Sequence, residues 1–235
     1  MGRRSRHRNG AGGLALAKRA LLFDLDGTLL DSDPLHAQVF IDLLAARGRR
    51  IDRAFYDANM HGRLNQDIFA DLTPGEDPDA MSDMKEAEFR RRLGSSVAPT
   101  PGLAALLDRA AAGGWCTAVV TNAIRLNANA MLGAIGMGDR TDLIVASDDG
   151  LGAKPDPAPY VAAMARLGVA PGAAIAFEDS PAGLASARAA GATVFGLRTV
   201  LDDNALLAHG AHHTITDFTD PLLAQTLARF EGVPA

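Results

Sequence analysis

Short apolar runs alternate with helical segments from residue 99 onward. Four of these runs are rich in Val, Ile, Ala and Phe, as buried strands are: CTAVVT (116–121), LIVAS (143–147), AIAFED (174–179) and ATVFGL (192–197). LLFDLD, near the N-terminus, predicts a first strand, and HTIT (213–216) predicts a short late one. Strands and helices that alternate at this spacing indicate βαβ units and therefore a parallel sheet.

The helical segments have recognisable ends. In SPAGLASARAAGA, Ser180 is placed as an N-cap, Pro181 takes the first helical position, and Gly191 follows the last turn. TPGLAALLDRAAAGG has Pro101 near its first turn and Gly113 at its end. These signals predict helices directly before the second strand and directly after the fourth.

The stretch from 33 to 98 has a different pattern. PLHAQVFIDLLAARG predicts an amphipathic helix capped by Asp33, and NQDIFADL and AMSDMKEAEFRRRL also predict helices. No buried-strand pattern occurs there. We therefore predict an α/β fold, a Rossmann-like doubly wound parallel sheet with an inserted all-helical cap domain. The predicted core is 14–32 and 99–235, the cap is 33–98, and residues 1–13 are a disordered basic extension, with a weak anion-contacting surface as the alternative.

Composition narrows the classes of function. The chain has 235 residues, 48% of them hydrophobic, and a net charge of −5, which argues against a broad nucleic-acid-binding face. No uncharged stretch reaches the length of about 18 to 20 residues that a membrane span needs. The single cysteine, Cys116, lies in an apolar run and fits a small core residue and a reducing compartment. We expect a cytoplasmic protein that is a monomer or a weak homodimer.

Polar side chains follow the predicted strands where each strand ends. Asp24 and Asp26 follow LLF, Thr121 and Asn122 follow TAVV, and Glu178 and Asp179 follow AIAF. Lys154 comes a few residues after LIVAS. The carboxyl ends of parallel strands form one crevice, so these groups are expected to converge. Acids, a hydroxyl and an ammonium together suit phosphoryl transfer assisted by a hard divalent cation.

Each of these features also has a purely structural interpretation. The aspartates could form a turn, Thr121 and Asn122 could cap a helix, Lys154 could be a solvated surface residue, and Glu178–Asp179 could start a loop. One active site explains all four features together, which the separate interpretations do not.

Four motifs carry a resemblance to a known family. FDLDGTLLDS, VVTNA, AKPDP and FEDSPAG are similar, in order and spacing, to the motifs of the haloacid dehalogenase-like hydrolases. The resemblance covers residues 20 to 200 approximately. It is strongest to the branch of sugar-phosphate phosphatases and β-phosphoglucomutases, which carries a helical cap after the first motif.

The resemblance implies a role for each residue of the cluster. Asp24 would be the nucleophile that forms an aspartyl-phosphate, and Asp26 the acid and base. Thr121, with the backbone of Asn122, would bind the phosphoryl oxygens, and Lys154 would balance their charge. Mg2+ would be held by Asp24, Asp179, the carbonyl of Asp26 and, through water, Glu178.

The resemblance also bears on the reaction. Haloacid dehalogenases lack the second aspartate, so Asp26 argues against that activity. Phosphonate hydrolases use a cap lysine; Lys85 is the only one here and lies in a charged helix, which disfavours that reaction. A phosphomonoester hydrolase acting on a small phosphorylated metabolite, such as a sugar phosphate, remains, with a β-phosphoglucomutase-like enzyme as the alternative. A non-catalytic binding module is disfavoured by the intact motifs.

Cap residues bear on the choice between phosphatase and mutase. His36 matches the mutase residue that couples cap closure to proton transfer. Gly62 fits the mutase substrate loop, but Asn65 stands where the mutase has the arginine that grips the distal phosphate. His61 and Arg63 are further candidate substrate contacts, with a solvated loop as the alternative interpretation.

Overall fold

The computed structural model describes residues 18–60 and 63–232, and six strands lie within these residues. They are β1 (Ala20–Phe23), β2 (Cys116–Val120), β3 (Leu143–Val145), β4 (Ala174–Glu178), β5 (Thr193–Leu197) and β6 (His213–Ile215). All neighbours pair in parallel, in the order β3-β2-β1-β4-β5-β6. β1 therefore lies between β2 and β4, in the middle of the sheet.

Ten α-helices lie in the described part of the chain. Four come between β1 and β2: α1 (Asp33–Ala45), α2 (Arg53–Asn59), α3 (Asn65–Leu72) and α4 (Pro78–Leu93). The others are α5 (Leu103–Ala112), α6 (Arg125–Ala134), α7 (Ala158–Leu167), α8 (Pro181–Ala189), α9 (Asp203–Ala208) and α10 (Pro221–Phe230). None of the helices in these described residues is long and apolar enough to cross a membrane.

Helices cover both faces of the sheet. Leu21 and Phe23 of β1 point to one face, in a core cluster shared with α5, α6 and α10. Ala20 and Leu22 point to the other face, in a cluster shared with α7, α8 and α9. Side chains alternate along a strand, so an entirely apolar strand needs cover on both sides. The predicted α/β doubly wound fold is confirmed.

The helices α1–α4 have an apolar cluster of their own. It contains Phe40 and Leu44 of α1, Tyr56 of α2, Phe69 of α3 and Met81 of α4. Further along α4, Phe89 and Leu93 belong instead to the core beside the sheet. These helices fall within the range predicted as a cap, and we call them the cap below. The domain limits stay a prediction, and the extension predicted at 1–13 lies outside the described residues.

One predicted helix end is wrong. Asp33 was expected to cap α1, but the helix already includes it, and Ser32 occupies the N-cap position without a side-chain bond to the helix. The Ser32 hydroxyl donates instead to Asp26 Oδ1 at 2.6 Å. The Asp33 carboxylate accepts a hydrogen bond of 2.9 Å from the Tyr56 hydroxyl. Asp33 therefore joins α1 to α2, where the tertiary contact outweighs a local cap.

Candidate active site

The ends of the two central strands bring the first two predicted acids together. Asp24 follows the last residue of β1, and its backbone N–H donates to the carbonyl of Phe177 in β4 at 2.9 Å. Glu178 is the last residue of β4 and is fully buried. This register explains why residues about 150 positions apart in the sequence meet at one edge of the sheet.

Lys154 lies between these two carboxylates. Its Nζ is 2.6 Å from Asp24 Oδ1 and 2.6 Å from Glu178 Oε1, and its side chain is 3% exposed. Burial alone would lower the pKa of Lys154, but the charges of Asp24 and Glu178 outweigh it and raise the pKa above its usual value. Lys154 therefore stays charged although it is buried.

Two neighbours fix Lys154 and Glu178 in place. The side chain of Asn122 accepts from the backbone N–H of Lys154 at 2.9 Å and donates to its carbonyl at 3.3 Å. The hydroxyl of Tyr160, which is fully buried in α7, donates to Glu178 Oε1 at 2.6 Å. Tyr160 was not predicted from the sequence, where it looks like any apolar helix residue.

Three buried acids form a group that fits a cation. One carboxylate oxygen from each of Asp24, Glu178 and Asp179 lies within 4.8 Å of the others. Burial, together with the neighbouring acids, raises the pKa of Asp24 to about 8 and the pKa of Asp179 well above its usual value. Lys154 offsets one negative charge of the three. Hard oxygen ligands with an excess of negative charge are what a divalent cation such as Mg2+ requires.

Two glycines make room for these acids. A Cβ on Gly27 would lie 2.0 Å from Asp179 Oδ2, and Gly27 has a φ of +76°, where side chains are strained. A Cβ on Gly183, in the first turn of α8, would lie 1.9 Å from Glu178 Oε2. The glycines of the DLDG and DSPAG motifs are thus needed for close approach of the carboxylates.

Asp26 has different surroundings from Asp24. Its side chain is 34% exposed, and its Oδ1 accepts hydrogen bonds from Ser32 at 2.6 Å and from His36 Nε2 at 3.1 Å. Burial works to raise the pKa of Asp26, but the bonds from His36 and Ser32 outweigh it and lower the pKa below its usual value. Two aspartates two positions apart thus have opposite pKa shifts, as groups with separate chemical roles often do.

The cap contributes His36 and Lys85 to this side of the site. Lys85 Nζ lies 2.6 Å from His36 Nδ1, and the His36 ring stacks on Phe89 at 3.9 Å. Since an ammonium can only donate, we assign Nδ1 as the acceptor and place the ring proton on Nε2, which donates to Asp26.

The burial of Lys85 differs from what its charged helix predicts, since its side chain is 3% exposed. A signal was present: Met81, Lys85 and Phe89 are spaced by four residues and share one buried face of α4. A lone lysine in an apolar stripe indicates a buried cation with a partner.

The remaining predicted residues lie as follows. Thr121, at the end of β2, is 4% exposed, and its hydroxyl accepts from the backbone N–H of Ala123 at 2.9 Å. The guanidinium of Arg63 donates to Asp71 at 2.6 Å and to the Asn59 carbonyl, so these contacts keep it within the cap. His61 and Gly62 lie outside the described residues. Contact of these cap residues with substrate stays a prediction.

Fold and site together define a class of protein: an α/β enzyme with a helical insertion after the first strand and, at its strand tips, an acid cluster that could hold a metal ion. The family model of the haloacid dehalogenase-like hydrolases matches residues 18–191, and the chain belongs to this family. The resemblance found in the motifs and the predicted hydrolase class are confirmed.

Relatives of known name agree with this assignment. Protein CbbY of Rhodobacter capsulatus is 36% identical over 198 residues, which cover 78% of this chain and 84% of that protein. Fructose-1-phosphate phosphatase YqaB of Escherichia coli is 31% identical, with coverage of 76% and 95%. Among solved structures, CbbY of Rhodobacter sphaeroides with phosphate has a TM-score of 0.74 at 29% identity, covering 86% of this chain and 96% of that one. A family IA hydrolase of Entamoeba histolytica has a TM-score of 0.80 at 26% identity, covering 90% and 99%.

Proposed function

We propose that the protein is a Mg2+-dependent phosphatase that hydrolyses a small phosphorylated metabolite, in particular a sugar phosphate. The observation that carries the proposal is the cluster of Asp24, Lys154, Glu178 and Asp179 at the strand tips, with Asp26 and His36 beside it. Similar proteins include a fructose-1-phosphate phosphatase and phosphoglycolate phosphatases, which supports the phosphomonoester as the bond that is cleaved.

In the proposed first step, a carboxylate oxygen of Asp24 attacks phosphorus. An Asp24–phosphorus bond forms, the ester P–O bond breaks, and the leaving oxygen takes a proton from Asp26. Lys154, with its ammonium, and Thr121 and Asn122, with a hydroxyl and backbone groups directly after β2, would hold the transferring oxygens.

In the second step, water attacks the phosphorus of the aspartyl-phosphate. Asp26 accepts a proton from this water, inorganic phosphate leaves, and the Asp24 carboxylate is restored. The hydrogen bonds from His36 and Ser32 favour the ionised Asp26, which is the base form needed here. A dianionic ester nearby would raise the pKa of Asp26 and so favour the acid form needed in the first step.

Asp24, Asp179 and Glu178 would hold the Mg2+ ion. When bound, the ion supplies positive charge that keeps Asp24 ionised and stabilises the charge on the phosphoryl group. The raised pKa of Asp24 in the cluster without a cation supports this requirement.

A sugar phosphomutase is the second candidate, supported by the contact between His36 and Asp26. The position of Asn65 argues against it. The Asn65 amide donates to Ser82 at 3.2 Å and to Glu86 at 2.5 Å, so the residue that the resemblance aligns with the mutase arginine is a neutral group bound to a carboxylate. A second phosphate there would meet an amide and a carboxylate, and the nearby Lys85 ammonium is already paired with that carboxylate at 2.8 Å.

A screen of phosphorylated metabolites tests the proposal by measuring inorganic phosphate with Mg2+ and with EDTA. We expect phosphate release only with Mg2+, and none from Asp24→Asn. A mutase would convert β-glucose 1-phosphate to glucose 6-phosphate when primed with the bisphosphate, and would release little phosphate. Phosphate release by Asp24→Asn at the wild-type rate would refute the proposed nucleophile.

A further inference from the structure

A polar contact between cap and core lies at Glu86, next to Lys85 on α4. The Glu86 carboxylate accepts hydrogen bonds from three donors: Lys85 Nζ at 2.8 Å, Asn65 Nδ2 at 2.5 Å, and Asn127 Nδ2. Lys85 and Asn65 belong to the cap. Asn127 belongs to α6, which packs against the sheet. Glu86 therefore connects the cap to the core.

Asn127 is held from both ends of its amide. It is 2% exposed; its Nδ2 donates to Glu86, and its Oδ1 accepts from Arg90 Nη1 at 2.5 Å. Glu86 and Arg90 are four residues apart on α4, so they present their groups from successive turns of one helix face. A buried amide with both ends bonded has a single favourable orientation, and it fixes α4 against α6.

These bonds complete a chain that starts and ends on the core. It runs from Asn127 to Glu86, from Glu86 to Lys85, from Lys85 to His36, and from His36 to Asp26. Its middle members lie on the cap, and its two ends lie on α6 and directly after β1. The chain can be intact only while the cap sits on the core.

We propose that Asn127 is a positioning residue for the proton transfer at Asp26. The core amide fixes Glu86, Glu86 fixes the ammonium of Lys85, and Lys85 sets the orientation and tautomer of His36, which orients Asp26. This inference rests on the proposed phosphatase activity. In this arrangement, Asp26 protonates the leaving oxygen only while the cap is packed against the core.

Leaving-group dependence gives the test. Nitrophenolate leaves without a proton, whereas the alkoxide of a sugar or glycerol needs one from the general acid. The value of kcat/KM reports the steps up to departure of the leaving group. We therefore compare p-nitrophenyl phosphate with fructose 1-phosphate and glycerol 1-phosphate, using wild type, Asn127→Ala and the control Thr226→Ala. Thr226 is also a buried polar helix residue, but its hydroxyl donates to the Leu222 carbonyl of its own helix.

For Asn127→Ala, we expect kcat/KM to fall about tenfold or more for the alkyl phosphates and less than about twofold for p-nitrophenyl phosphate. Turnover of p-nitrophenyl phosphate by this variant should show a burst of nitrophenol, because Asp26 is also the base of the second step and a misplaced Asp26 would make that step slower than the first. Thr226→Ala should leave the ratio of kcat/KM for the alkyl phosphates to kcat/KM for p-nitrophenyl phosphate unchanged. Thermal denaturation in the assay buffer checks that each variant is folded.

Glu86→Gln provides a second variant on the same chain. Like Asn127→Ala, it should lower kcat/KM more for the alkyl phosphates than for p-nitrophenyl phosphate. The double variant with Asn127→Ala should have a kcat/KM for the alkyl phosphates little lower than that of either single variant. Equal losses on both kinds of substrate, or no loss on either, would overturn the role of Asn127 while leaving the phosphatase proposal intact. If wild type released phosphate with Mg2+ from no compound of the metabolite screen, the proposed function itself would fail, and the inference with it.

Discussion

Removal of the Lys154 ammonium is the sharpest test of the acid cluster. We consider Lys154→Met, which keeps most of the apolar stem and removes the charge. The side chain is 3% exposed and makes two contacts of 2.6 Å, one to Asp24 and one to the fully buried Glu178. The variant leaves both carboxylates without this ammonium.

The expected cost follows from that geometry. Removing one partner of a buried ion pair costs about 3 to 5 kcal/mol, because the remaining charge stays buried. A carboxyl group can limit this cost by taking up a proton, so we expect about 3 kcal/mol at pH 7. For a chain of this size, each kcal/mol lowers Tm by about 2 to 4 °C, which gives a decrease of about 6 to 12 °C.

The assay is thermal and urea denaturation in EDTA, followed by circular dichroism. Lys18→Met is the matched control, since Lys18 is an exposed lysine whose Nζ makes a long hydrogen bond of 3.4 Å to the Leu167 carbonyl. The control should change the free energy of unfolding by less than about 0.5 kcal/mol. If Lys154→Met destabilised the protein no more than Lys18→Met does, the ammonium would not be neutralising the acid cluster.

Three further outcomes follow from the site. Asp24→Asn should abolish phosphate release yet raise Tm in EDTA, because three buried acids face one ammonium and the amide removes one of these charges while Glu178 still pairs with Lys154; a lower Tm would contradict this. The Tm difference between Asp24→Asn and wild type in EDTA should widen from pH 5 to pH 8. The pKa of Asp24 is raised to about 8 in the folded state, so its contribution to stability is present at low pH and lost as pH rises; a constant difference would refute the shift. Gly27→Ala should remove the increase in Tm that Mg2+ gives to wild type, because the new Cβ would lie 2.0 Å from Asp179 Oδ2. Gly48→Ala is the control and should keep that increase, since Gly48 has a similar φ of +77° but open space around it.

Much of the core could be predicted because its signals are local. Each strand is a short apolar run, and the polar residue that follows it marks the carboxyl end. In a parallel sheet these ends lie along one edge, so the convergence of Asp24 and Glu178 on that edge follows from the strands, whereas the pairing of β1 with β4 is seen only in the structure. The Ser180 cap of α8 was also predicted, and its hydroxyl accepts from Gly183 N–H at 3.1 Å.

Contacts made by the cap could not be predicted in the same way. The bond between Glu86 and Asn127 joins residues 41 positions apart on two helices, and it exists only because α4 lies against α6. No local pattern fixes that packing. Asp33 shows the reverse error: its local pattern predicted a cap, but the hydroxyl of Tyr56, 23 positions away, binds its carboxylate.

The central place of β1 has a consequence for how the protein is made. β1 is the earliest of the six strands along the chain, yet its hydrogen-bonding partners are β2, at 116–120, and β4, at 174–178. While the ribosome is still adding those residues, the wholly apolar segment ALLF has both edges open. The four helices that follow β1 leave the ribosome before β2 and β4 do, and they can pack around their own apolar cluster. Nascent chains that stall before residue 174 should therefore be the ones that chaperones hold and that aggregate most readily.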